Sequence, residues 1–211
     1  MLVLRILLAV LLWLGVVQPA QAAITVTFWS HELGNDFPHA FITVRGVPDA
    51  GGAPVDVSYG FTAKSISPAM LFGKVPSRMD LTKPGYILRS DAQFSLVVTD
   101  EQYAGLTALV AAWSDNKVRY DLDTANCIHF TKEAARVLGL QGLDQPKLMR
   151  RPRSYLQAVA VANPGRVAVI GVHGRDYIQG LPPLEPVQAP LPSPAPAGTI
   201  STTSSTDSKR G

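Results

Sequence analysis

The 211-residue chain has a single cysteine, Cys127. It can form neither an internal disulfide framework nor a cysteine-based zinc site. Charge is sparse at 17%, and neither sign dominates: 19 Lys and Arg stand against 16 Asp and Glu, a formal net charge of +3. That balance is too small to imply a nucleic-acid partner or strong attraction to an anionic membrane. No apolar run reaches the ~18 residues that would mark a membrane-spanning helix. There is no His-Glu-x-x-His pattern, no glycine-rich phosphate loop after a strand and no Gly-x-Ser-x-Gly elbow. Histidine is scarce too, at four residues. His31 and His39 with Asp36 do not make a clear ligand set, so no metal and no cofactor is expected. What remains is an ordinary globular balance, 46% hydrophobic, which excludes a wholly disordered or fibrous protein.

Both ends differ from the middle. Arg5 precedes an apolar run from Ile6 to Val17, Pro19 breaks it, and Ala20-Gln21-Ala22 supplies a small-x-small cleavage pattern. Residues 1–22 therefore read as a secretory signal, and the mature protein is expected in the periplasm or outside the cell. Uncleaved, the same segment would be an N-terminal anchor. No cysteine follows the cleavage site, which excludes a lipoprotein anchor, and after cleavage no integral membrane segment is expected. From Leu181 the chain is rich in proline, then in serine and threonine. Residues 181–211 cannot bury enough apolar surface to order themselves, so a disordered tail is expected. The folded domain spans about residues 23–180.

Within that domain, Ile24–Trp29, His39–Arg45 and Val55–Thr62 carry strand patterns, the last two joined by a turn with Gly51-Gly52. Residues 64–85 mix proline and glycine with sparse apolar residues and read as an irregular excursion. Tyr86–Val98 reads as strand-rich. Thr99 or Asp100 can cap a helix in which Tyr103, Leu106, Leu109, Val110 and Trp113 recur at helical spacing, ended by Ser114-Asp115-Asn116. Val118–Leu122 reads as short and extended. A second helix is predicted over Cys127–Leu138, with Phe130, Ala134, Val137 and Leu138 as its stripe and Gly139 as its stop. Arg153–Ala160 reads as a short helix and Val167–Val172 as a last strand. The order points to an α+β domain with an antiparallel sheet packed against helices.

Cys127 opens the second predicted helix. Backbone N–H groups and the helix dipole stabilise negative charge there, which lowers thiol pKa values. The competing reading is a small buried hydrophobe. A nucleophilic thiol needs a base. His129, two residues on, points to another side of a helix and reads as structural. His173 lies between glycines near the end of the domain. His39 begins a strand, where a side chain is held rigidly at the edge of a cleft, and His31 is its rival. Trp29 and Tyr120 can line a cleft, although single aromatics more often belong to a core. Arg150-Arg151-Pro152-Arg153 reads as a solvated basic turn.

Tyr120-Asp121-Leu122 followed by Asn126-Cys127 and Phe130, after a helix over Asp100–Trp113, resembles the circularly permuted branch of the papain-like cysteine peptidase superfamily. That branch includes cell-wall-peptidase-like and lecithin:retinol acyltransferase-like proteins. In it the histidine strand precedes the helix opened by Asn-Cys. His39-Ala40-Phe41-Ile42 resembles that strand, and Ser58-Tyr59-Gly60-Phe61 the end of its partner. The resemblance covers roughly residues 28–140 and implies Cys127 as nucleophile and His39 as general base. It also implies an oxyanion site at the Cys127 backbone N–H. A third polar residue that orients the histidine would fall on the next strand, where Ser58 is the first candidate, beside Tyr59 and with Asp56 behind. Asn126 reads as a helix cap.

Together these expectations describe an exported cysteine peptidase or amidase that forms a thioester on a peptide or cell-wall amide. Three alternatives remain at this level: a catalytically silent binding module of the same fold in the cell envelope, a lipid acyltransferase, and a structural envelope protein whose proline-rich tail contacts the cell wall. The expected partner is a peptide, cell-wall or acyl substrate, and not nucleic acid.

Overall fold

A computed structural model describes residues 23–32 and 37–184. The predicted signal over 1–22, Asp36, and the tail beyond Leu184 lie outside the described residues.

The alternating segments become an antiparallel sheet. Strands β1 (Ile24–His31), β2 (His39–Gly46), β3 (Val55–Ala63) and β4 (Ser77–Asp80) form consecutive neighbours. On the other side of β1 lie β5 (Asp91–Val98) and then β6 (Ala168–His173), giving the order β4-β3-β2-β1-β5-β6. In register, His31 faces His39, Thr43 faces Ser58, and Gly60 faces Asp80. The described residues are therefore α+β with a six-stranded antiparallel sheet, and the α+β class is the one their pattern of elements predicts.

Strand alternation sorts side chains between two faces. On one face Ile24, Val26, Phe28, Ala40, Ile42, Val44, Phe94 and Leu96 form the main core with Phe61. Phe28 and Phe94 stack with ring centroids 4.6 Å apart. Helices α2 (Asp100–Trp113), α3 (Cys127–Val137) and α4 (Pro152–Val161) belong to this side. The other face carries a smaller core of Trp29, Phe41 and Ala92, with Tyr86, Ile87, Ile170 and Tyr177 packed on it.

Caps explain where the helices begin. Thr99 closes a capping box with Gln102: its hydroxyl accepts from the Gln102 N–H while the Gln102 side chain accepts from the Thr99 N–H. Asn126 does the same for α3. Gly139 takes φ +73 just past α3, the left-handed conformation that a C-terminal stop requires. Of the predicted α3 stripe, Phe130, Ala134 and Leu138 are buried, while Val137 reaches sideways over Gly105 of α2.

Three local readings are corrected. The excursion over 64–85 holds a 3₁₀ turn (Pro68–Leu71), strand β4 and the start of a short helix, α1 (Pro84–Ile87). Tyr86 and Ile87 are thus helical rather than extended, because Pro84 at the first helical position is pre-set for that turn. Val118–Leu122 forms only single bridges, Val75 with Tyr120 and Asp121 with Ala125. His173, one residue past the predicted last strand, ends β6 and is exposed. A final helix, α5 (Gly174–Gln179), follows. Residues 181–184 lie against the sheet, where the Arg45 guanidinium donates to the Pro182 carbonyl at 2.9 Å. No helix of the described residues is long and apolar enough to cross a membrane.

Candidate functional site

Asn126 fixes the start of α3, and with it the position of Cys127. Its Oδ1 accepts from the N–H groups of Ile128 at 2.8 Å and His129 at 3.1 Å. Its Nδ2 donates to the carbonyls of Leu122 and Met149, both at 2.8 Å. A side chain with both ends committed in this way is a structural cap, as its sequence position predicts. His129 completes the box by accepting the Asn126 N–H at Nδ1, a role that needs the neutral ring. Burial, with the Lys132 charge behind it, lowers its pKa accordingly.

Cys127 is the first residue of α3 and is 5% exposed. Backbone N–H groups of Ala40, Ile128 and Cys127 itself face the sulfur and favour the thiolate. Burial outweighs them and pushes the thiol up to about 11. The helix N-terminus alone predicts a depressed value. Here desolvation reverses the sign.

Ala40 follows His39, so the thiol meets β2 at the His39–Ala40 peptide. The His39 side chain, however, belongs to the opposite face from Ala40. Its ring stacks on Phe41 with centroids 6.0 Å apart and meets the Tyr86 ring edge-on at 6.4 Å. Cys127 instead packs with Ala40 and the main core. The structure thus joins thiol and histidine through one peptide and not through their side chains. Burial lowers the His39 pKa to about 4, although the Asp80 carboxylate pulls it upward; neighbouring His31 adds to the lowering.

The ring of His39 lies over β3 at Gly60. A Cβ on Gly60 would come 2.6 Å from His39 Nε2, so only glycine permits this seat. Asp80 pairs with Gly60 across β3 and β4 and so stands on the same side of the sheet. It also forms a 3.1 Å ion pair with Arg78.

Ser58 shares the face but does not serve His39. Its hydroxyl donates to the Thr82 carbonyl at 3.1 Å, and Gly60, over which the imidazole sits, is two residues further along the strand. Asp56 pairs with Arg45 at the far end of β3. Asp80 is the carboxylate that acts on His39, and residue order alone did not reveal it, because β4 is four residues long within a proline-rich excursion. Only strand pairing brings it beside Gly60.

His31, the rival base, is buried; its Nδ1 lies 3.1 Å from the Ser90 hydroxyl and its ring stacks on Tyr86. Trp29 is fully buried in the second core and donates to the Thr43 hydroxyl at 2.9 Å. Arg150 pairs with Asp123, and Arg153 with Glu32 and Asp91, so the basic turn is neutralised locally.

His39 opens into a cavity of about 540 Å³, whose wall also includes Asp80, Arg78, Tyr86, Met70 and Tyr120. Tyr120 is nearly buried and stacks on Phe61 with centroids 5.8 Å apart. It also interacts electrostatically with the Cys127 thiol. The cavity thus holds an imidazole and a carboxylate. No protein-family model matches the chain, nor does any curated protein or solved structure.

Proposed function

We propose that the protein is an exported cysteine hydrolase of the permuted papain-like type, acting on a peptide, cell-wall or other acyl substrate through a thioester at Cys127. One observation carries this reading: the sulfur at the start of α3 faces the N–H of Ala40, one peptide from His39, and His39 itself lines a cavity.

In the reaction, His39 takes the Sγ proton as the sulfur adds to the substrate carbonyl carbon. The tetrahedral oxyanion accepts from the Cys127 backbone N–H at the start of α3. The carbonyl C–N or C–O bond breaks, and His39 returns the proton to the leaving amine or alcohol. Water, deprotonated by His39, then cleaves the thioester and restores the thiol. The Asp80 carboxylate favours the imidazolium by its charge, the role first sought at Ser58. The resting pair is neutral, so proton transfer accompanies attack. Because the imidazole and the sulfur lie on opposite faces of β2, the strand end at His39 must move for the ring to reach the sulfur.

A second reading, a catalytically silent binding module, is favoured by the buried thiol, its raised pKa and the His39 ring on the opposite face. One experiment separates the two. Mature protein is incubated with a panel of activated acyl esters and amides, and its intact mass is recorded. An acyl adduct on Cys127 is expected, absent in Cys127→Ala and formed ~10²- to 10⁴-fold more slowly in His39→Ala. If no ester or amide acylates the folded protein, the hydrolase reading fails and the binding module stands.

A further inference from the structure

The chain's positive charge is not spread over the molecule. Residues 64–89 carry five cationic side chains, Lys64, Lys74, Arg78, Lys83 and Arg89, against one carboxylate, Asp80. The whole chain has 19 cations and 16 acids, so everything outside this stretch holds 14 cations and 15 acids. The net charge of +3 therefore comes from this one segment.

The same segment exposes large apolar side chains. Ile66 is 68% exposed, Leu71 73%, Phe72 87% and Leu81 66%, and Phe37 adds 49% from across the cavity. Ile66 and Phe37 line the cavity; Leu71 and Phe72 follow the lining residue Met70, and Leu81 lies between the lining residues Asp80 and Thr82. With Phe37 and Ile66 on the cavity wall and Leu71, Phe72 and Leu81 exposed on the same segment, these side chains form an apolar collar beside the His39 cavity. Their exposure is built into the fold. Met70 is buried and anchors the 3₁₀ turn, while Lys64 N–H to Pro76 carbonyl and the Val75–Tyr120 pair tie the base of the loop.

Exposed phenylalanine and leucine interleaved with lysine match the chemistry of a bilayer surface with anionic headgroups. The apolar side chains enter the acyl boundary while the cations meet phosphates. A protein partner of the same chemistry would have to supply both an apolar patch and an acidic rim; a bilayer supplies both at once. We propose that the collar formed by Phe37, Ile66, Leu71, Phe72 and Leu81, with Lys64, Lys74 and Lys83 around it, is a peripheral docking surface for an anionic lipid bilayer. The cavity then opens at the membrane surface. The proposal is independent of whether Cys127 is catalytic.

The test is co-sedimentation of mature full-length protein with vesicles of phosphatidylglycerol and phosphatidylethanolamine in equal parts, and with phosphatidylcholine vesicles. Binding to the first and little to the second is expected. Leu71→Ser with Phe72→Ser should weaken it by at least about tenfold. Lys74→Glu with Lys83→Glu should do the same and remove the preference for anionic lipid. All four positions are exposed, so the variants should keep the wild-type circular dichroism spectrum and melting midpoint. Absence of vesicle binding in the wild type overturns the proposal, as does binding that either pair leaves unchanged. Self-association that the Leu71/Phe72 pair abolishes, without vesicle binding, would instead make the collar an interface between copies.

Discussion

At the scale of single residues, burial decides the chemistry of both candidate catalytic groups. The Cys127 thiol is raised to about 11 and the His39 imidazole lowered to about 4, so each rests uncharged near neutral pH. A thiolate–imidazolium pair is therefore not the resting state. Stability follows from the same shift. A histidine whose folded pKa lies below its unfolded value of about 6.5 binds protons more readily when unfolded. Its stabilising effect is complete above pH 6.5 and is lost as pH falls toward 4. Over that window His39 should cost the wild type up to about 3 kcal/mol. His129 acts in the same direction. Urea unfolding at pH 7 and pH 4.5 should show a smaller acid loss in His39→Gln than in the wild type. Equal losses would mean that His39 is not held neutral by the fold.

At the scale of elements, α3 depends on one side chain. Asn126 is buried and makes four hydrogen bonds, two to the helix start and two to the loops around Leu122 and Met149. Thr99 caps α2 in an exposed setting with one accepting bond. Removing each cap should therefore have unequal effects. Thr99→Ala is expected to cost about 1 kcal/mol. Asn126→Ala should cost about 2–4 kcal/mol, because it also strands buried carbonyls. Chemical denaturation of the two variants checks the order, and equal losses would show that Asn126 acts only as an ordinary cap. Both helix starts were readable from residue types. The Cys127–Val137 helix falls within one residue of its predicted end because capping and a C-terminal glycine are local signals. Strand β4 had no such signal.

Across the whole molecule, the two sheet faces are filled by different parts of the chain. Helices α2, α3 and α4 cover one, and α1, α5 and residues 181–184 cover the other. The last of these were expected to begin a disordered tail, yet Leu181, Pro182, Pro183 and Leu184 wall a small cavity with Thr25, Thr27, Arg45 and Tyr177. A chain ending at Gly180 should accordingly be less stable than one ending at Leu184, by about 1–2 kcal/mol from lost apolar contact and the Arg45–Pro182 hydrogen bond. Calorimetry of the two truncations checks this; identical melting midpoints would show that the segment contributes nothing to the domain.

The amino-acid order by itself determined most of the strands, the starts of α2 and α3 and the α+β class. These rest on periodicity, caps and stops that act over a few residues. Tertiary structure alone decided the rest. Which face His39 takes depends on strand register and on the room above Gly60. The thiol's protonation depends on burial that no local motif reports. Asp80 comes beside Gly60 only through the pairing of β4 with β3. The cationic, apolar segment comes beside the cavity because β4 pairs at the sheet edge and Val75 pairs with Tyr120, contacts between residues far apart in the chain.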